Sequence, residues 1–317
     1  MNILLLGNGY DLNYKLPTSY RNFLLTIDFL IKHQLEDIHT VGDVFGNIEL
    51  NTQDEFIKAS YDSYKEEYDS LPLDKTILNN IVDKAKNNIW FSYFLKSFNH
   101  EIKWIDFEKE IAFVVNSFQV FFSKADVTFM LGKVLENKGM YYLIKEVFNF
   151  FIGDMNYSSG ALPTGAMKIK SEYTTEYPIG SGAKIINKEK IISVLWNSLE
   201  DFISVLKSYL QCFVENSAEV LIEKSKIIQV NALNYTDVAV TLNYTNTYEL
   251  FAPEVQVFHI HGNIKNAIVL GINPDENDDG DSINTAFLQF KKYYQRTFLE
   301  SDTDYLRWLR DLLDQGL

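Results

Sequence analysis

The chain has 317 residues, 46% of them hydrophobic and 15% aromatic, enough for a large core in one elaborated domain or two. A formal net charge of −14 makes it acidic and self-repelling, which argues against general affinity for nucleic acid or an anionic membrane surface. Cys212 is the only cysteine, so an internal disulfide and a zinc site of several thiolates are both excluded, and a cytoplasmic protein is expected.

Asn2 to Leu6 is a short apolar run that reads as a buried strand. Asp11 interrupts the run too early for a signal peptide. Gly7 and Gly9 bracket Asn8, the Gly-x-Gly entry of many nucleotide-binding α/β units, in which glycines permit a tight turn and let backbone N–H groups approach phosphate. The third glycine of the dinucleotide fingerprint is missing. Pro17 then approaches a helix that Thr18 or Ser19 caps, with Tyr20, Phe23, Leu24, Ile27 and Leu30 at helical spacing.

Residues 34–226 read as a mainly helical insertion. Ile89–Phe98, Phe107–Phe122, Met140–Phe151 and Ile191–Phe213 carry its apolar segments, and Gly153–Ala183 reads as a long loop rich in Gly, Pro, Ser and Thr. The most apolar stretch, Ile111 to Phe122, contains Asn116, Ser117 and Gln119 and is far shorter than the ~20 residues a bilayer requires. Ile227–Val230, Val238–Leu242, Val255–His261 and Ala267–Ile272 then read as short strands, and Thr285–Thr297 and Asp302–Leu313 as amphipathic helices. The simplest architecture is a Rossmann-like, mostly parallel α/β sheet built from both chain ends, residues 1–33 and 227–317, interrupted by the helical insertion. In such sheets ligands bind beyond the carboxyl ends of the strands, where Gly7-Asn8-Gly9, Asn243-Tyr244-Thr245 and His261-Gly262 should meet.

Each motif has a chemical and a structural reading. Asp11 bonds a ribose hydroxyl or caps a turn. Asn243, on a corner after a β-branched strand, can both donate and accept hydrogen bonds to a sugar or a positioned water; Thr245 or Asn246 is equally a helix cap. His259 and His261 share one face of a strand: His261 suits a general base beside a glycine, and His259 a core histidine. A metal bound by the pair would need carboxylates or a thiolate that are not nearby in sequence, so no metal site is expected. Asp106 and Glu108 start a helix favourably or form part of a metal-dependent nuclease. Lys291, Lys292 and Arg296 either hold phosphate or form a solvated face.

Gly7-Asn8-Gly9-Tyr10-Asp11-Leu12 with Leu16-Pro17-Thr18-Ser19-Tyr20, Trp104-Ile105-Asp106-Phe107-Glu108, Asn243-Tyr244-Thr245-Asn246-Thr247, His259-Ile260-His261-Gly262 and Phe287–Arg296 follow one another through nearly the whole chain. Together they resemble the AbiH family of bacterial abortive-infection (phage defence) proteins. A more distant similarity is to sirtuin-like (SIR2) domains, which bind NAD on a Rossmann-like sheet through Gly-x-Gly and a following Ile/Leu-Pro, a Thr-x-Asn segment and a His before Gly. That resemblance implies NAD as substrate or ligand. Gly7, Asn8, Gly9, Asp11, Pro17, Thr241, Thr245 and Gly262 would be binding residues, Asn243 would orient ribose or water, and His261 would be the base. Defence members of the SIR2 group hydrolyse NAD and starve the infected cell.

The chain departs from these patterns at Thr245, where sirtuin-like chains usually carry Asp, and in lacking zinc-ribbon cysteines, so protein deacylation is not expected. AbiH-like chains usually continue beyond the aromatic-basic helix into a strand with a Gly-His-Ser-Leu-type turn. A shortened chain, or a partner supplying that sheet element, is therefore expected. The reading is an anti-phage protein that binds and hydrolyses NAD or a related nucleotide. The alternatives are a nucleotide sensor without turnover and a metal-dependent nuclease. A phage or host protein trigger and a homo-oligomer are the expected macromolecular partners.

Overall fold

The computed structural model describes residues 1–52, 55–97, 106–124, 128–130, 147–152, 166–176, 184–224, 236–273, 285–299 and 303–314. In chain order the first elements are β1 (Ile3–Leu6), α1 (Gly9–Asn13), α2 (Tyr20–Lys32), α3 (Val41–Thr52), α4 (Glu55–Ser70), α5 (Lys75–Ala85), α6 (Ile89–Ser97) and α7 (Phe107–Lys124). Short strands follow, β2 (Thr128–Met130), β3 (Phe151–Ile152), β4 (Ala166–Ile169), β5 (Thr174–Glu176) and β6 (Lys184–Ile186). The chain ends with α8 (Lys188–Tyr209), α9 (Asn216–Lys224), β7 (Val238–Thr241), α10 (Thr247–Phe251), β8 (Gln256–His259), α11 (Lys292–Phe298) and α12 (Thr303–Asp314).

The fold is mixed α/β and mostly helical. Its parallel sheet has three strands among the described residues, in the order β1-β7-β8, so the two ends of the chain are hydrogen-bonded neighbours. The expected strand at Ile227–Val230 lies outside the described residues. Register aligns Leu6 with Thr241 and Thr241 with His259, so all three strands end level. One sheet face carries Leu4, Leu6, Ala239 and Val257 and packs against Tyr10 and Tyr248 of α1 and α10. On the other face Trp308 of α12 lies 5.1 Å from Phe258, but Ile3 and Leu5 are 53% and 70% exposed. β1 is thus a strand, but not the buried one expected: among the described residues it is an edge, and Ile3 and Leu5 on one of its faces are exposed. The leucines Leu306, Leu309 and Leu313 of the amphipathic α12 are exposed as well.

The helical part packs α2 on α3 and α5, α3 on α4, and α8 on α5 and α6. Phe23 of α2 sits at its centre, with Phe91, Phe107, Phe202 and Tyr209 rings 5.4–6.4 Å away in edge-on or tilted contact. Trp90 is fully buried and donates its indole N–H to the Leu195 carbonyl at 2.8 Å. The same core takes in Tyr14 and Leu16 from the first unit and Ile264, Ile268 and Leu270 from the last. Among the described residues no helix is long and apolar enough to cross a membrane.

Several local expectations change. Within Gly153–Ala183, residues 166–169 and 174–176 are strands paired antiparallel with β2 and β3 and with β6. They are too short to show a period of two. Of Met140–Phe151, residues 140–146 lie outside the described residues and Phe151 begins β3. Ile191–Phe213 runs as α8 into a π-helical turn over Leu210–Glu215. Ala267–Ile272 forms no named strand, only the bridges Gly262–Ile268 and Ile272–Lys291. The second bridge leaves Lys291 extended (φ −83°, ψ 130°) and breaks the expected Thr285–Thr297 helix into a 3-10 segment, Thr285–Phe290, and α11.

Candidate functional site

Three strands that end level deliver their next residues together. Asn8, Asn243 and His261 each stand two positions beyond an aligned strand end, and all three line one cavity of about 250 Å³. Asp11, Thr18, Tyr20, Asp106, Glu108, Leu210, Leu242, Tyr244 and Thr245 complete its wall. Of the expected binding residues, Asn8, Asp11 and Thr245 therefore face the cavity together with Asn243 and His261. Gly7, Gly9, Pro17, Thr241 and Gly262 do not line it.

Those five residues support the site instead. Neither Gly7 nor Gly9 has a positive φ, so the backbone does not require glycine there. An added Cβ would meet nothing within 4 Å at either, and what the glycines leave is open space. Gly262 differs: its φ is +71°, and a Cβ would fall 1.8 Å from the Ala267 carbonyl oxygen. It turns the chain sharply behind His261, where Val269 N–H donates to the His261 carbonyl at 2.9 Å. Thr241 Oγ1 accepts from the Asn243 backbone N–H at 3.0 Å, and the Pro17 carbonyl accepts from Tyr209 Oη at 2.5 Å.

The cavity's polar groups are tied to one another. Thr18 Oγ1 donates to Asn8 Oδ1 at 2.6 Å, and Asn243 Nδ2 donates to the Gly7 carbonyl at 3.2 Å, holding the first turn against the last motif. Ser19, not Thr18, caps α2: its Oγ accepts from Asn22 N–H at 3.1 Å, and Asn22 returns a bond to the Ser19 N–H. Thr18 is thereby free to hold Asn8.

Asp11 is 1% exposed. Its Oδ2 accepts from Thr245 Oγ1 at 2.6 Å, while Oδ1 is buried without a hydrogen bond among the described residues. Burial pushes this carboxyl up to about 6; Glu215 and Glu249 add to the rise, and the hydroxyls of Thr245 and Thr247 oppose it. Buried polar atoms of Tyr248 and Glu249 are likewise without hydrogen-bond partners among the described residues, so this corner is polar and not fully satisfied.

His259 is the core histidine: Nδ1 meets the Asn243 carbonyl at 3.0 Å and Nε2 meets Glu249 Oε1 at 2.8 Å. With both nitrogens engaged it offers no metal ligand. Asp106 Oδ1 accepts from the Glu108 and Lys109 N–H groups at 3.1 and 3.2 Å, so it caps α7 as well as lining the cavity. Among the described residues no group of three or more His, Cys, Asp or Glu is placed to hold a metal ion.

The aromatic-basic segment does something the sequence reading missed. Lys292, Gln295 and Arg296 stand at i, i+3 and i+4 on α11 and share one face. Lys292 Nζ lies 2.5 Å from Glu108 Oε1, with its side chain 2% exposed. Gln295 clasps Leu270, accepting from its N–H at 3.1 Å and donating to its carbonyl at 3.0 Å. Arg296 Nη2 lies 3.1 Å from His261 Nδ1. Lys292 and Arg296 thus do not form a solvated face: Lys292 is committed to Glu108, and Arg296 directs one guanidinium nitrogen to His261 while its Nε is buried without a hydrogen bond among the described residues. Their spacing was visible in the sequence; their partners were not.

Over residues 3–310 the sequence matches the profile of the family described as "Bacteriophage abortive infection AbiH". No curated protein and no solved structure matches it.

Proposed function

This chain belongs to the AbiH family of bacteriophage abortive-infection proteins, and from that premise we propose that it acts in phage defence by binding NAD or a related nucleotide in this cavity and hydrolysing its N-glycosidic bond. The observation that carries the reading is the level ending of three parallel strands, which brings Asn8, Asn243 and His261 to one wall at the place where open α/β sheets bind ligands. That placement is what supports a Rossmann-like, SIR2-like reading of the site.

At about 250 Å³ the cavity falls below the ~300–1,000 Å³ of sites that enclose a whole drug-sized ligand. It suits the ribose and its leaving base. Its wall carries the carboxyl groups of Asp11, Asp106 and Glu108 and, among the described residues, no cationic side chain. Asp106 and Glu108 are paired with backbone N–H groups and with Lys292, but Asp11 has no cation bonded to it among the described residues, and its carboxylate would favour the positive charge that an oxocarbenium-like transition state develops. The phosphates would lie outside, beside the open space at Gly7 and Gly9. Asn8 and Asn243 have the donors and acceptors to fix ribose hydroxyls and the attacking water. In the reaction water oxygen bonds to the anomeric carbon, the carbon–nitrogen bond breaks with its electron pair passing to the leaving base, and water gives up its proton to the Asp11 carboxylate on the cavity wall.

Incubating the purified chain with NAD and following nicotinamide and ADP-ribose by chromatography tests this. Release should fall by at least ~100-fold in Asn243→Ala and in His261→Ala, the scale of losing one positioned polar group. Absence of release by the native chain, with no NAD binding by calorimetry, overturns it. The cavity's small size also favours a second reading, a sensor that binds without turnover; calorimetric binding with no product would select it. Asp106 and Glu108 are committed to a helix cap and to Lys292, which speaks against the nuclease alternative.

A further inference from the structure

We propose that Arg296 is a positioning residue that fixes the proton of His261 on Nε2, making His261 a hydrogen-bond donor to the cavity rather than its base. What that donor serves rests on the N-glycosidase reading; where the proton sits does not.

The argument begins with the guanidinium, which has donors and no acceptor. Arg296 Nη2 lies 3.1 Å from His261 Nδ1, so that nitrogen must present its lone pair and carry no proton. A neutral imidazole then holds its single proton on Nε2, the nitrogen on the side of the ring away from Arg296. His261 lines the cavity, and Arg296 does not.

The surroundings keep the ring neutral. Burial, with the cations Lys292 and Arg296 on α11, holds the imidazole down at about 4. The carboxyl groups lining the cavity are Asp11 of α1, Asp106 capping α7 and Glu108 in its first turn. Glu108 is neutralised by Lys292 at 2.5 Å, and Asp106 by its helix N-terminus and by Lys109 at 3.4 Å. His261 therefore faces two cations at close range and, among the described residues, no bonded carboxylate.

The backbone is fixed too. The Gly262–Ile268 bridge and the Val269 bond to the His261 carbonyl hold the ring's base. Gln295, on the same helix face as Arg296, binds both backbone groups of Leu270. The distance between α11 and His261 is thus set by bonds that involve neither Arg296 nor the imidazole. Arg296 reads out that spacing as a tautomer. A weakly basic Nδ1 whose lone pair is held by the Arg296 guanidinium cannot accept a proton from water in the cavity. An Nε2–H can hold a ribose hydroxyl, a carbonyl oxygen or the attacking water oxygen.

The test is imidazole 1H–15N NMR on the full ligand-free chain. It has five histidines, so the His261 signal is assigned by its loss in His261→Asn. The expected result is a proton on Nε2 and a bare Nδ1, unchanged from pH 8 to pH 5. Arg296→Met removes the donor, and His261 should then acquire a titration midpoint within that range and a mixture of tautomers. Arg296→Gln keeps a neutral donor and should preserve the Nε2–H form. A native Nδ1–H tautomer, a native midpoint between pH 6 and 7, or a native-like spectrum in Arg296→Met overturns the proposal. Should Arg296→Met fail to fold, the native chain and Arg296→Gln decide. A fixed Nε2–H without turnover of NAD sinks the hydrolase reading and leaves this inference standing; turnover with a freely titrating His261 does the reverse.

Discussion

Asp11 is a carboxylic acid placed where its charge is costly. Its folded pKa of about 6 lies above the ~3.9 of an unfolded aspartate, so between those values the folded state holds more protons than the unfolded one. Stability therefore falls as pH rises from about 4 to 6, and the full penalty persists above 6. At 1.36 kcal/mol per pKa unit it amounts to about 3 kcal/mol at pH 7. A group retained at such a cost is a functional candidate, and with His261 occupied as a donor it is the cavity wall's natural proton acceptor. Asp11→Asn should raise stability at pH 7 by about 1–3 kcal/mol, show no gain at pH 4, and abolish any N-glycosidic turnover. Urea melts of both proteins at the two pH values check the first two effects. Equal differences at pH 4 and pH 7 would mean that Asp11 titrates normally.

At the scale of elements, α2 shows how an ordinary helix start prepares the site. The Ser19–Asn22 capping box fixes its first turn between Thr18, which holds Asn8, and Tyr20, which stacks 4.0 Å from Phe107. Ser19→Ala should cost about 1 kcal/mol by loss of the cap. A thermal melt should record a fall of about 1–2 °C, and an unchanged melting temperature would show that the cap contributes nothing.

This helix was legible in the sequence because its apolar residues recur at 3.6 and a capping residue precedes them. β1, β7 and β8 were legible as apolar or β-branched runs bounded by turn residues. The Ala267–Ile272 segment was not, because Gly262 at positive φ folds it back against the chain before a ladder can form. Nor was the break at Lys291, where a tertiary bridge to Ile272 overrides local helix propensity. The motifs that meet in the cavity could be named from the chain. The two pairings that set their charge, Lys292 with Glu108 and Arg296 with His261, join distant segments and leave no local pattern.

At the scale of the whole molecule, the cavity wall is assembled from three stretches of chain: Asn8 to Tyr20 at the start, Asp106, Glu108 and Leu210 in the helical middle of the chain, and Leu242 to His261 near the end. The Glu108–Lys292 pair joins that middle part to the last part of the chain at this junction. Burial lowers the Lys292 pKa and Glu108 opposes the shift, so the ammonium depends on its partner to remain charged there. Removing one member leaves the other uncompensated, whereas removing both replaces a charged contact with neutral groups. Glu108→Gln should therefore destabilise the chain by about 3 kcal/mol, near the lower end for a buried pair because Glu108 retains some solvent contact. Glu108→Gln combined with Lys292→Met should recover at least ~1 kcal/mol of the summed single losses. Urea denaturation of the four proteins gives the coupling energy directly. Additivity within ~0.5 kcal/mol would show that the pair does not hold the two parts together.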